Sequence, residues 1–296
     1  MAKKGIFIFT LSCELYWQNN FPTPDLFPHF CTRMKPIGIF DSGIGGLTIY
    51  KAIRELMPNQ ELIYVADSIH LPYGDKSMNE ILQYSKGISE RLMEKGCQTI
   101  VIACNTASAA ALHPLRKIYH NSTFVGMEPA VKPAAEQTQS GVVGVIATVA
   151  TFQGELFKSV VERHGAGVKV IERPCPGLVQ QIEAGHCNSI ETETMLRHWL
   201  EPMLASGMDR LVLACTHYPF VLSLLQKICG TSVTIIDPAP AIARQVVRVV
   251  REQSTVSTDS YFTTGNKTQF VQAANNAGYK METATELHWQ NGHLTI

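Results

Sequence analysis

The chain has 296 residues, 45% of them hydrophobic and 17% charged; that length makes two domains the starting expectation and supplies ample chain for a packed core, which excludes a disordered protein. Twenty-five Lys+Arg balance 25 Asp+Glu, so no basic excess draws the chain onto a phosphate backbone, and no apolar run approaches the ~18 residues of a membrane helix. No nucleic-acid partner and no membrane partner are therefore expected.

The eight cysteines are scattered, with no C-x-x-C pair and no His/Cys spacing of a zinc site, so free thiols in a reducing cytoplasm and no metal are expected.

Residues 1–34 read as an extension. Met1-Ala-Lys-Lys4 followed by Gly5 to Cys13 has the charged front and short apolar segment of a signal peptide, but Thr10 is a poor match to a lipoprotein cleavage site. Residues 14–33 show no periodicity, so a poorly ordered extension is the plainer reading, and Met34 could itself be the start.

From Lys35 onward short apolar runs alternate with amphipathic stretches, the signature of α/β architecture. Ile37–Phe40 reads as a strand, followed by a Gly-rich turn and a helix from Leu47 to about Met57. Leu62–Val65 is the next strand, with a loop through Pro72-Tyr-Gly74 and a helix over about Asn79 to Lys95. Ile100–Ile102 is a third strand that ends at Cys104. Apolar runs without alternation point to parallel strands covered on both faces. Further on, Ile242 to Glu252 reads as a helix and Tyr261–Thr264 as a closing strand.

The second half repeats the first. Gly96 to Cys104 matches Gly207 to Cys215, and Ile37 to Ser42 matches Val143 to Thr148, in the same order and at nearly equal spacing. Two ordered matches indicate a duplicated half, each with one cysteine at a strand's carboxyl end, where open parallel sheets form their ligand crevice.

Cys104 in Ala103-Cys-Asn-Thr-Ala-Ser108 stands where a strand hands over to a helix, whose amides can lower a thiol's pKa and, with Asn105 and Thr106, bind a carboxylate. A small buried hydrophobe is the plainer fate for one such cysteine. Ala214-Cys-Thr-His-Tyr-Pro219 repeats the arrangement, with His217 placed to hold or shuttle a thiol proton. Asp41-Ser42-Gly43 opens the Gly-rich turn without the spacing of a nucleotide loop, so Asp41 is either a helix cap or a base beside a thiol. Asp67, Tyr73 and Gly74 lie in the next strand-end loop, and Glu183 is either a surface carboxylate or part of a site. Lys76 and Lys132 are the lysines to check for a Schiff base, though neither has a recognisable cofactor setting.

Taken together, Asp41 to Leu47, Pro72-Tyr-Gly74, Ala103 to Ser108, Cys175 to Val179 with Glu183, and Leu213 to Pro219 resemble the glutamate racemases of the aspartate/glutamate racemase family. The resemblance covers about Pro36 to Asn275. The Thr-His after the second cysteine sets the motif nearer the glutamate than the aspartate and hydantoin members. The extension before Met34 and Ala214, where members often carry Gly, depart from the pattern. The resemblance implies two similar, pseudo-symmetric α/β domains with mainly parallel sheets and an active site in the cleft between them. Their expected bounds are 35–128 plus 238–296, and 129–237.

It also implies racemisation without a cofactor by two cysteines on opposite faces of the substrate's α-carbon, supplying D-glutamate for peptidoglycan. Cys104 would deprotonate D-glutamate with help from Asp41, and Cys215 would deprotonate L-glutamate with help from His217. Ser42, Pro72, Tyr73, Gly74, Asn105, Thr106 and Thr216 would hold the amino and carboxylate groups. Asp67, Glu183, Thr148 and Thr151 would support them. The expected partners are glutamate, a second copy in a homodimer and a cell-wall-precursor activator. Two competing readings are a Cys-His hydrolase built on Cys215 and His217, and a two-domain protein that only binds acidic amino acids.

Overall fold

The continuous apolar runs become parallel strands: β1 (Ile37–Asp41), β2 (Leu62–Ala66), β3 (Thr99–Ile102) and β4 (Thr123–Gly126) in the first half. The second half forms β5 (Val142–Ala147), β6 (Lys169–Pro174), β7 (Arg210–Ala214) and β8 (Thr234–Ile236), and the chain then returns to the first sheet with β9 (Ser260–Thr263) and β10 (Thr285–Glu286). The computed structural model describes residues 35–250 and 258–296. The expected extension over 1–34, and the last two residues of the helix expected to reach Glu252, lie outside them. Lys35–Ile296 cluster as one compact unit that holds both sheets. Among the described residues no helix is long and apolar enough to cross a membrane.

The first sheet runs β10-β9-β2-β1-β3-β4 and the second β6-β5-β7-β8, with every pairing parallel. The duplication seen in the sequence is therefore topological: β2-β1-β3-β4 and β6-β5-β7-β8 are the same order. Registers agree as well. Phe40 pairs with Ile102 in one sheet, and Ile146 with Leu213 in the other. Two residues further along each strand stand Ser42 and Cys104, and Thr148 and Cys215. Each half thus sets a hydroxyl residue level with a cysteine at its carboxyl edge.

Alternation along each strand sends side chains to opposite faces, and both faces are covered, which is why the runs read as apolar without a period of two. Ile37 and Ile39 pack with Ile49, Ile53, Ile242 and Val246 from the helices Leu47–Leu56 and Ala239–Val249. Phe40 turns the other way, onto the cluster of Ile88, Leu92, Ala111 and Leu115 from the helices Met78–Glu94 and Asn105–Ile118. At roughly 1.5–3 kcal/mol for each fully buried aliphatic side chain, these two layers hold the strand ends, and so the site, rigid.

Element starts differ from expectation by a few residues for local reasons. Helix Met78–Glu94 begins one residue early because Ser77 and Glu80 form a reciprocal capping box. Helix Ala239–Val249 begins three residues early, where Asp237 accepts the Ala239 amide at 2.9 Å and Pro240, in the first turn, has no N–H to satisfy. A hairpin of β11 (His288–Gln290) and β12 (His293–Thr295) was not foreseen, although its Asn291-Gly292 turn, with both φ positive, is the expected two-residue type.

Candidate active site

The two cysteines face a common cavity but stand in different local settings. Cys104 follows β3 and caps helix Asn105–Ile118, its Sγ accepting the Ala107 amide at 3.4 Å. The helix was expected to lower this thiol's pKa. Burial and the nearby Asp41 charge push it up instead, and the Ala107 and Thr106 amides offset only part of that. Cys215 follows β7, but no α-helix begins there. Pro219 fixes a 3-10 turn over Tyr218–Val221, and the helix starts only at Leu222. In place of helix amides, Cys215 has the His217 Nδ1 at 3.9 Å from its Sγ.

His217 is held from its other side, with Nε2 2.6 Å from Oε1 of Glu183, the same oxygen that accepts the Ile44 amide at 2.8 Å. Burial disfavours the imidazolium, but the hydrogen bonds and charges of Cys215 and Glu183 outweigh it and push the His217 pKa well up. A charged ring donates through both nitrogens, one to Glu183 and one toward the Cys215 sulfur. Glu183 is thus no surface carboxylate.

Asp41 is fully buried at the end of β1, accepting the Gly43 amide at 2.8 Å and the Thr216 hydroxyl at 2.9 Å. It caps the turn, not the helix, which starts at Leu47 with no side-chain cap. Burial raises its carboxyl from an ordinary 3.8 to about 6, against the pull of the His217 charge and of those two hydrogen bonds.

The Gly-rich turn now has a physical explanation. A Cβ on Gly43 would lie 2.0 Å from Glu183 Oε1, and one on Gly45 would lie 2.4 Å from His217 Nδ1. Those glycines let the Cys215–His217–Glu183 group of the second half dock against the turn of the first. Gly45→Ala is therefore expected to displace His217 and lower turnover by ~10²-fold, while the melting temperature falls only a few degrees. A steady-state assay beside a thermal melt checks this.

The cavity is lined by Cys104 and Cys215, by Ser42, Thr216 and His217, and by Pro72, Tyr73, Gly74, Asn105, Thr106 and Thr148. All were expected; Val179, which also lines it, was quoted in a motif but not assigned to the site. Both side-chain polar atoms of Asn105 are buried without a partner among the described residues, which marks the place for a polar ligand group. Thr106, Thr148 and Thr151 form a closed triangle of hydroxyls at 2.9, 3.1 and 2.9 Å. The remaining expected residues stand one layer back: Asp41 behind Thr216, Glu183 behind His217, Thr151 behind the threonine pair, and Asp67 behind Tyr73. Lys76 and Lys132 do not line the cavity, and Lys132 lies exposed 4.0 Å from Glu136. The cavity measures about 10 Å³, room for about one water.

A sequence model of the Asp/Glu/Hydantoin racemase family matches residues 37–246, which hold β1 to β4 of the first sheet, all of the second and every residue of the cavity. The chain belongs to the Asp/Glu/hydantoin racemase family. Among racemases, it is 47% identical over 218 residues to the glutamate racemase of Stutzerimonas stutzeri (strain A1501), covering 74% of this chain and 83% of that one. It is 48% identical over 219 residues to the glutamate racemase of Roseiflexus sp. (strain RS-1), covering 74% and 80%. Its fold is similar to the crystal structure of a Bacillus anthracis glutamate racemase, with a TM-score of 0.78 at 28% identity over 88% of this chain and 98% of that one. It is also similar to the Escherichia coli glutamate racemase solved with L-glutamate and the activator UDP-MurNAc-Ala, with a TM-score of 0.74 at 28% identity, covering 83% and 96%. The α/β racemase fold with two parallel sheets is thus the fold of this chain.

Proposed function

We propose that the chain interconverts L- and D-glutamate by proton transfer at the α-carbon between Cys104 and Cys215, without a cofactor, and so supplies D-glutamate for peptidoglycan. The observation that carries this reading is the pair of thiols, one from each half, on one cavity whose other walls include hydroxyl side chains, the His217 ring and the unpartnered Asn105 amide. The two sheets with their helices are read as two domains, 35–128 plus 238–296 and 129–237, with substrate between them. A cavity of this size must widen to admit an amino acid, so entry would require the halves to part.

In the L to D direction the Cys215 thiolate takes the α-proton, leaving the electron pair on Cα, and the Cys104 thiol delivers its proton to the opposite face. The roles reverse from D to L, so each turnover exchanges which sulfur is protonated. The imidazolium of His217 supports a thiolate at Cys215 by charge and hydrogen bonding. Asp41 assists on the Cys104 side. Asn105, Thr106, Ser42 and Thr216 bind the carboxylate and amino groups, with Pro72, Tyr73 and Gly74 forming the facing wall. A dry cavity strengthens each of these interactions on the developing carbanion.

Asp41 links function to stability. Its folded pKa, about 6, exceeds the ordinary 3.8, so folding favours the protonated form. That contribution is present below 3.8 and lost as pH rises through about 6, leaving the ionised carboxylate costing ~3 kcal/mol at neutral pH. Asp41→Asn is expected to raise the melting temperature at pH 7.5 by several degrees and at pH 4 by little, while lowering turnover and removing its decline below pH 6. Equal melting temperatures at pH 7.5 would contradict this.

The basic test is the circular dichroism of L-glutamate with purified protein freed of pyridoxal phosphate and metal. Decay to zero is expected, and a flat trace with reduced thiols both with and without UDP-MurNAc-Ala refutes the assignment. The proposal also places the enzyme in the cytoplasm as a homodimer answering to a cell-wall precursor. The activator held by the Escherichia coli relative supports the last of these, and turnover with and without UDP-MurNAc-Ala tests it.

A further inference from the structure

Asp67 was read as an acid near the site, but its hydrogen bonds give it another task. One carboxylate oxygen accepts the Tyr73 hydroxyl at 2.6 Å and the His70 Nδ1–H at 2.9 Å. The other accepts the Thr264 hydroxyl at 2.8 Å and the Trp289 Nε1–H at 2.9 Å. Two donors on each oxygen occupy the carboxylate, and its side chain has no exposure, so it is poorly placed to take a proton from substrate. What it does is tie Tyr73, a wall of the cavity, to Trp289 on the carboxyl-terminal hairpin.

That hairpin is fixed to the first sheet's helix layer. A Cβ on Gly87 would lie 2.5 Å from the Gly292 carbonyl oxygen and 2.6 Å from the Trp289 ring, so helix Met78–Glu94 and the hairpin touch backbone to backbone. Leu294 is buried in the same cluster as Ile88 and Tyr73. The Trp289 ring lies 5.5 Å from His70 and 5.8 Å from Tyr84, and those two rings stack at 3.8 Å. Burial and the Asp67 charge push the Tyr73 phenol well above its ordinary pKa, so it stays a donor to Asp67.

We infer that Trp289 is a positioning residue for the racemase reaction: through Asp67 it sets the place of Tyr73 and so the affinity for substrate. The inference rests on the cavity being the active site. The hairpin lies beyond residue 246, where the family match ends, so this control belongs to a part of the chain outside that match.

Trp289→Phe keeps the ring against Gly87, His70 and Tyr84 and removes only the N–H donated to Asp67. KM for glutamate is expected to rise about fivefold with kcat within about twofold, since loosening Tyr73 weakens ground state and transition state alike. A purely structural role would lower the melting temperature and leave KM unchanged. A second readout does not depend on that variant folding: in the Trp17→Phe, Trp199→Phe protein, Trp289 is the sole tryptophan. Its emission is expected to shift on adding glutamate, saturating near KM, and the shift should vanish when Tyr73→Phe is added. An unchanged KM in Trp289→Phe, or emission indifferent to saturating glutamate in the single-tryptophan protein, overturns the inference. Wild-type protein assayed in parallel separates the two readings: no wild-type racemisation refutes the active site itself, whereas normal racemisation with an unchanged KM refutes only the role of Trp289.

Discussion

Cys104→Ala and Cys215→Ala each abolish racemisation, by at least ~10⁴-fold in kcat/KM, and leave the protein folded. The activity loss follows from the number of thiols on the cavity. With one sulfur gone, a proton can leave Cα but none can be delivered from the other side. The fold survives because both side chains are small and packed among apolar neighbours, where removing one sulfur atom costs about 1 kcal/mol. The proposal also divides the half-reactions. Cys215→Ala still exchanges the α-proton of D-glutamate with solvent and Cys104→Ala that of L-glutamate, each without inversion. Proton NMR in heavy water with each enantiomer reads this directly. Full turnover by either variant would remove the two-thiol mechanism.

His217→Asn is expected to lower kcat/KM by ~10²–10³-fold in both directions, while kcat and KM change unequally for the two enantiomers. The imidazole lies beside one thiol only, 3.9 Å from Cys215, and it is held charged by Glu183 at 2.6 Å. Its loss withdraws the positive charge that supports a thiolate at Cys215, so removal of the α-proton from L-glutamate suffers most. At equilibrium the two directions must still satisfy the unit equilibrium constant between enantiomers. The asymmetry therefore appears in kcat and KM separately, and in the primary isotope effect on each enantiomer, not in the ratio of kcat/KM. Glu183→Gln should give a weaker form of the same pattern. Equal changes in kcat and isotope effect for both enantiomers would contradict the placement of His217 on the Cys215 side.

The readable part of the fold was the part governed by local pattern. The duplication could be seen because each half must bury a central strand on both faces, so Ile37–Phe40 and Val143–Ile146 carry like runs and their cysteines follow at like distances. The cavity wall was legible almost whole, since its residues sit in short motifs at strand ends. What sequence did not show was how the halves act on each other. Nothing in Gly43-Ile-Gly45 announces that Glu183 and His217, more than 130 residues on, press against those α-carbons. The symmetry between the cysteines was overread for a related reason: Pro219 replaces an α-helix by a 3-10 turn at one site only. The pKa of Cys104 went the other way from expectation because burial, invisible in sequence, outweighs two amides. The Asp67 hub joins residues 67, 70, 73, 264 and 289, a set no spacing rule would gather. The Asn291-Gly292 turn was the one local signal that could have located its hairpin.

The claim that two thiols work from opposite faces is tested most directly by racemising L-glutamate in heavy water and stopping the reaction early. With two bases, the D-glutamate formed carries deuterium at Cα, because its proton comes from the thiol equilibrated with solvent. The remaining L-glutamate keeps its original hydrogen. Starting from D-glutamate gives the mirror result. Deuterium appearing equally in substrate and product, or product that retains the substrate's own hydrogen, would mean that a single base serves both faces and would contradict the account.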